Sequence, residues 1–324
     1  MKEKIIEARN LTKKYDDFTA VNDISFQVEK GEIFGLLGPN GAGKTTTINM
    51  LTGMAKISAG KIYYDGIDLT KNMKKAQEII GVVADESNLY DEMSGYDNLC
   101  FCGSLYGLSK TERENKAKDL LNIFRLNEAG NAKFKAYSKG MKRKLTIAAA
   151  LIHNPQILFL DEPTPGIDVA SARQIRDLIK TLNEKNTTVF LTTHYIEEAE
   201  RLCDRVAFLN KGKIIMIDTV NNLINAAKDE NLIEVVLKEK ISEKVQFALK
   251  LNEEFPYVNC SFKNDDTLNI ISSKQIDISP IVNHLSSQNK FIIEARLHRP
   301  SLEDAFVKWT GIEIDLMKKE KEKK

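Results

Sequence analysis

The chain alternates between short, wholly apolar runs and longer stretches in which apolar residues recur at helical spacing. IFGLL at 33–37 predicts a buried strand, and TINMLTGM at 47–54 predicts a helix close behind it. Apolar runs return at ILFL (157–160) and in TTVFLTTH (187–194), which predict two further strands of one parallel sheet. Between these lie YDEMSGYDNLCFCGSLYGL (90–108) and KTERENKAKDLLNIFRL (110–126), both with helical spacing. Ser109, Lys110 and Thr111 mark a break and a new helix start. The apolar stripe Leu99, Phe101, Leu105 reads as core, with any partner face at its edge.

After KGKIIMIDTVNNLINA (211–226) the rhythm changes. Strand LIEVVL, helix SEKVQFALKLNE, strands YVNCSF and TLNIIS, helix SPIVNHLSS and strand KFIIEARL follow one another. That order is β-α-β-β-α-β, the pattern of a ferredoxin-like unit. Pro300 and Ser301 with Asp304 resemble a capping box, and Leu302, Phe306 and Trp309 give the following helix an apolar face. The final MKKEKEKK reads as a solvated tail.

Composition narrows the classes. At 324 residues and 42% hydrophobic the chain can bury two cores, and a net charge of +1 argues against a dedicated polyanion binder. The amino end shows no secretory pattern, and the best apolar run, LTIAAALIH, is about half of what spans a bilayer, which predicts a soluble chain. Cys100, Cys102, Cys203 and Cys260 lack CxxC spacing and read as buried thiols in a reducing cytoplasm; the histidines are too dispersed for a metal site.

Chemistry enters at GPNGAGKTT, residues 38–46, directly after the first strand and opening a helix. Gly38, Gly41 and Gly43 let Pro39, Asn40, Ala42 and Thr46 form a loop whose amides converge on a phosphate chain. Lys44 supplies a cation for the β and γ phosphates, and Thr45 a hydroxyl for magnesium. The second strand runs into Asp161 and Glu162, whose side chains point to opposite faces and so take different tasks. Asp161 is assigned to the magnesium shell and Glu162 to polarising the attacking water; His194, ending the third strand, reaches the γ phosphate. YSKGM, residues 137–141, reads either as a serine-capped basic helix or as a second phosphate-facing motif; Lys142, Arg143 and Lys144 read as its solvated face.

From about residue 4 to 217 the order Tyr15, GPNGAGKTT, YSKGM, LFLDEP, PGID, LTTH resembles the nucleotide-binding domain of ATP-binding cassette (ABC) transporters. The resemblance implies an α/β core with a mixed sheet over 1–219, a helical subdomain nested at about 87–152, and a small α+β accessory domain over 220–324. It implies an ATPase using ATP and Mg²⁺, with Glu162, His194 and Lys44 as catalytic groups and Tyr15 stacking on adenine. YSKGM then takes the place of the family signature, so that Ser138, Lys139, Gly140 and Met141 face the nucleotide of a second cassette packed head to tail. Asp168 takes the place of an acid lining that seam. Where the family has a metal-touching glutamine, this chain has Asp85, or else Glu86. The implied partners are a membrane-spanning permease and a second ATPase subunit, in a homodimer, without nucleic acid, at the cytoplasmic face of the membrane. The wording of DNLCFCGSLYGL and of the accessory domain resembles exporter and drug-resistance systems. A soluble cassette ATPase acting on ribosomes or DNA is the alternative. Such relatives carry paired cassettes, long coiled coils or zinc motifs, and this sequence shows one cassette and no heptad array.

Overall fold

A computed structural model describes residues 3–85, 87, 89–227, 231–273, 276–298 and 300–312. Glu86 and the charged tail lie outside the described residues. The chain divides into two compact units: one holds residues up to Val220 together with those from Trp309, the other Asn221–Lys308.

The first unit opens with two long strands, β1 (Lys4–Tyr15) and β2 (Phe18–Glu29), then β3 (Ile33–Leu37) and helix α1 (Lys44–Thr52). Next come β4 (Ala59–Tyr64), β5 (Ile67–Asp68), α2 (Met73–Gln77) and β6 (Ile80–Val83). A helical portion follows, α3 (Gly95–Leu105), α4 (Lys110–Ile123) and α5 (Lys139–Leu151). The chain returns through β7 (Ile157–Asp161), α6 (Val169–Glu184), β8 (Thr188–Thr193), α7 (Ile196–Leu202), β9 (Arg205–Asn210) and β10 (Lys213–Thr219); α8 (Val220–Ala227) follows, all but its first residue belonging to the second unit.

Two sheets result. One runs β2-β1-β4-β5 and its pairings are antiparallel; the other runs β10-β9-β3-β8-β7-β6 and is parallel except for β10. The apolar runs of the sequence are the parallel strands: every residue of β3, β7 and β8 is buried, as expected of strands covered on both faces. The first sheet escaped the pattern because register shifts interrupt the alternation of β1. Phe26 on β2 bridges the two sheets, its ring 5.6 Å from Phe34, which lies 5.5 Å from Phe190. These rings sit in a core shared with Ile48 and Leu51 of α1, so the helix that follows the glycine loop is anchored to both sheets.

In the helical portion, Ser109 caps α4 through a capping box: its hydroxyl accepts from the Glu112 amide, and the Glu112 carboxylate accepts from the Ser109 amide at 2.9 Å. The stripe read as core is only partly so. Leu99 is buried, Phe101 is half-buried and Leu105 is 71% exposed. Leu105 is the last residue of α3, where the helix has run past the elements that cover it.

The second unit contains β11 (Asn231–Leu237), α9 (Lys244–Glu254), β12 (Asn259–Phe262), β13 (Thr267–Ser272), α10 (Ser279–Ser287), β14 (Ile292–His298) and α11 (Leu302–Thr310). Its strands pair antiparallel in the order β12-β13-β11-β14, two interleaved β-α-β halves. Alternation along β11 and β13 sends Ile233, Val235, Leu237, Leu268 and Ile270 into one core with Ala248, Leu251, Ile281 and Leu285 of the helices. Ser301 caps α11, and Asp304 returns the bond to the Ser301 amide at 2.8 Å.

Candidate functional site

The parallel strands deliver the charged and glycine-rich segments to one edge. β3, β8, β7 and β6 are neighbours, so the loop after β3, His194 after β8, Asp161 and Glu162 at β7, and Asp85 after β6 all emerge at their carboxyl ends. The middle position of β8 places His194 between the glycine loop and the acids.

The loop from Gly38 to Gly43 enters α1 with Gly43 in the left-handed region (φ +107°), and a Cβ there would come within 2.7 Å of the Ala20 carbonyl. With glycine at the cap, no side chain closes the first turn of α1, the arrangement a helix start needs if it is to receive an anion. Lys44 is nearly enclosed; its ammonium donates to the Gly38 carbonyl at 2.8 Å and the Pro39 carbonyl at 3.2 Å. The same ammonium lies 3.4 Å from Glu162 Oε1. Thr45 is exposed on the first turn, whereas Thr47 turns inward and donates to the Gly43 carbonyl.

Asp161 is buried, with its Oδ1 accepting from the Thr192 hydroxyl. Glu162 adopts φ +48°, a conformation an L-residue holds only under local constraint. Its amide donates to the Thr192 carbonyl at 3.2 Å, and its Oε2 accepts from His194 Nδ1 at 2.9 Å. An ionised carboxylate only accepts, so His194 carries its proton on Nδ1 and leaves Nε2 for another partner. The Glu162 carboxylate is thus held from two sides, by a lysine and a histidine.

Arg143 is the residue that sequence reasoning misplaced. It is not a solvated face: it is 8% exposed and its guanidinium donates to the carbonyls of Ala84, Asp85, Asp161, Glu162 and Pro163. Burial opposes its charge, and the carboxylates of Asp85, Asp161, Glu198 and Glu162 favour it. The signal was periodicity, since Arg143 falls three after Gly140 and four before Ile147, both buried on the same face of α5. Of its neighbours, Lys142 pairs with Asp91 at 3.3 Å and Lys144 donates to Gln174.

Ser138 caps α5, accepting from the Met141 amide at 3.3 Å, and with Lys139 it is exposed. Gly140 is dictated by packing, because a Cβ there would lie 2.4 Å from the Ser171 hydroxyl of α6. Asp168 caps α6, accepting from the Ser171 amide at 2.9 Å, and those bonds hold its carboxyl below the usual range. Tyr137 is buried and donates to the Ala129 carbonyl at 2.6 Å. Tyr15 ends β1 exposed, opposite the exposed Phe18, with the Lys13 ammonium over its ring at 4.5 Å. Asp85 is exposed beyond β6, its carbonyl fixed by Arg143.

The oxygen donors fit a divalent magnesium ion. Thr45 and Asp161 offer a hydroxyl and a carboxylate, and no cluster of three His, Cys, Asp or Glu side chains capable of holding a metal occurs among the described residues. Magnesium takes few protein ligands and keeps waters and phosphate oxygens.

A further acid lies behind the site. Glu198 on α7 is buried and accepts from the Thr164 hydroxyl at 2.5 Å; burial raises its pKa, and the Thr164 and Thr193 hydroxyls partly offset this. A carboxyl with a raised folded-state pKa binds more protons folded than unfolded from about its ordinary value of 4.5 upward, so stability falls as pH rises through that window. Glu198→Gln should therefore melt above the parent chain at pH 8, with the gain shrinking toward pH 4.5. Melting curves at both values test this, and a gain independent of pH would contradict it.

A family model described as "ABC transporter" matches residues 21–165. The linearmycin resistance ATP-binding protein LnrL of Bacillus subtilis is 37% identical over 317 residues, covering 95% of this chain and 98% of that protein. The Nod factor export ATP-binding protein I of Cupriavidus pinatubonensis is 35% identical, over 96% and 92% of the two chains. Among solved structures, an ATP-binding cassette in a dimeric post-hydrolysis state bound to ADP and Pi superposes with a TM-score of 0.62. It is 27% identical and covers 66% of this chain and 98% of its own.

Proposed function

The chain belongs to the ABC transporter family as an ATP-binding ATPase, and from that premise we propose that it is the motor of an exporter whose membrane-spanning permease is a separate protein. The observation that supports the motor reading is the Glu162 carboxylate, fixed 2.9 Å from His194 Nδ1 and 3.4 Å from the Lys44 ammonium at the mouth of the phosphate loop. The export direction rests on the relatives, one named for resistance to linearmycin and one for export of Nod factor.

The amides of Gly41, Gly43, Lys44, Thr45 and Thr46 bind the phosphate chain, with Lys44 as its cation and Tyr15 against the base. Thr45 and Asp161 would hold a magnesium ion, with Asp85 contributing from the β6 end; such an ion would supply positive charge beside the phosphate chain. Glu162 orients the attacking water and draws its proton, and His194 keeps the carboxylate in place. Ser138, Lys139, Gly140 and Met141 of one copy face the γ phosphate of the other, with Asp168 in the seam, so ATP draws two copies together. The two copies work at the inner face of the membrane. Leu105, Tyr106 and Ile123, exposed on the helical portion, offer the permease an apolar landing.

Recovery of tagged Glu162→Gln chain from solubilised membranes with Mg-ATP, followed by mass spectrometry, should return a stoichiometric integral membrane protein. Leu105→Asp should lose that protein while still binding ATP. Ribosomes or DNA-bound proteins in its place would overturn the transport reading and leave the ATPase reading intact.

A further inference from the structure

Strand β14 ends the sheet of the second unit. β11 pairs with one side of it, and among the described residues no strand pairs with the other. Residues 293–297 are all exposed, including Ile293 at 62% and Leu297 at 50%. An edge with this much bare apolar surface is a template for another strand.

Its side chains specify which strand. Counted outward from Ala295, Glu294 is balanced by Arg296 and Ile293 by Leu297. Glu294 and Arg296 stand opposite Val236 and Glu234 of β11, on one face; Ala295 and Leu297 stand opposite Val235 and Ile233, on the core face. Glu294 Oε1 accepts from Arg296 Nε at 2.9 Å and from Nη2 at 2.7 Å, which leaves the rest of the guanidinium fork to donate elsewhere.

We propose that the β14 edges of two copies of this chain pair antiparallel about a two-fold axis at Ala295, joining two four-stranded sheets into one. In this register Glu294 faces the partner's Arg296, twice; Ile293, which the register shift between Val236 and Leu237 of β11 leaves outside the regular pairing, closes the apolar end beside the partner's Leu297. The four charges alternate in sign around the axis. An axis at Glu294 sets carboxylate against carboxylate, and an axis at Arg296 sets guanidinium against guanidinium, so neighbouring registers are penalised. Either kind of antiparallel residue pair can lie on a two-fold axis, so the backbone bonding permits this register. The contact requires no nucleotide, which separates it from the ATP-driven contact proposed above.

Sedimentation velocity of the full chain without nucleotide should show a monomer–dimer equilibrium. Arg296→Glu places like charges opposite each other twice and should weaken that dimer about tenfold. The exchange Glu294→Arg with Arg296→Glu should return it to the parent's affinity, a recovery that a merely misfolded edge would not show. A second measurement uses a cysteine. Ala295→Cys brings two thiols together across the axis, where paired Cα atoms lie about 4.5–5.5 Å apart, within disulfide reach. Mild oxidation should give a covalent dimer from Ala295→Cys and none above the parent from Ser261→Cys on the opposite edge strand β12. A nucleotide-free chain that stays monomeric, a charge exchange that fails to restore the dimer, or equal cross-linking at both positions would overturn the pairing.

Discussion

Glu162→Gln should lower steady-state ATP turnover by about 10²–10⁴-fold while ATP binding persists. The carboxylate does two things that its amide cannot. It accepts a proton from water, and it carries the negative charge that faces Lys44 at 3.4 Å and His194 at 2.9 Å. Glutamine keeps the length and an acceptor for His194 Nδ1, so the backbone at φ +48° and the Asp161–Thr192 contact have no reason to move. The phosphate loop is untouched, so affinity for ATP survives the loss of turnover. The expected corollary is a dimer trapped by Mg-ATP in gel filtration. Adding Ser138→Arg should return it to the smaller species, because the side chain at the head of α5 then blocks the second nucleotide. Turnover equal to the parent's in Glu162→Gln would remove Glu162 from the chemistry, and an unchanged elution after Ser138→Arg would remove the signature from the seam.

Arg143→Met is expected to strike both stability and turnover. The guanidinium satisfies carbonyls of Ala84, Asp85, Asp161, Glu162 and Pro163, in a place with little access for water. A buried acceptor left without a donor costs about 1–3 kcal/mol, and partial relaxation will recover some of the sum. A loss of about 3–5 kcal/mol is the expected scale, as for breaking a buried charge network. The kinetic effect is more informative. Arg143 touches the backbone on both sides of Glu162 and none of the phosphate loop, so it acts as a positioning residue. At a temperature where the variant is folded, kcat should fall at least about tenfold with KM for ATP nearly unchanged. Arg143→Lys should recover little, because an ammonium cannot reproduce the planar fork. A variant that lost stability but kept the parent's kcat would reduce Arg143 to a structural part.

Much of the molecule was legible beforehand, for identifiable reasons. The strands β3 and β7 carry near-continuous apolar runs, and β8 the run VFL between threonines, because helices and a second sheet cover both their faces. The start of α4 was readable from Ser109, and that of α11 from Ser301 with Asp304, because a helix leaves its first amides unpaired and few side chains can serve them. The β1–β2 hairpin was not, since its bulges break the alternation that marks a half-buried strand. Leu105 looked like core on a wheel, and nothing in its own spacing says that α3 ends where its cover ends. The three basic residues after the signature looked alike, yet Arg143 is buried while Lys142 and Lys144 reach Asp91 and Gln174.

The division has one physical cause. Local chemistry is written locally: a glycine where φ must be positive, a lysine and threonine opening a helix, an acid pair ending an apolar strand. From these the sequence by itself determined a glycine loop opening a helix, an acid pair ending a strand and a family resemblance. What it could not determine is which distant segments meet, because that is decided by strand order. The order β3-β8-β7 brings His194, 32 positions beyond Glu162, to within 2.9 Å of its carboxylate, and Lys44 to within 3.4 Å. Likewise only the packing of α5 against β6 turned Arg143 from one charge in a run into the donor that holds five carbonyls of the site. Burial selects a residue's role through its neighbours in space, and those neighbours exist only once the sheet is assembled.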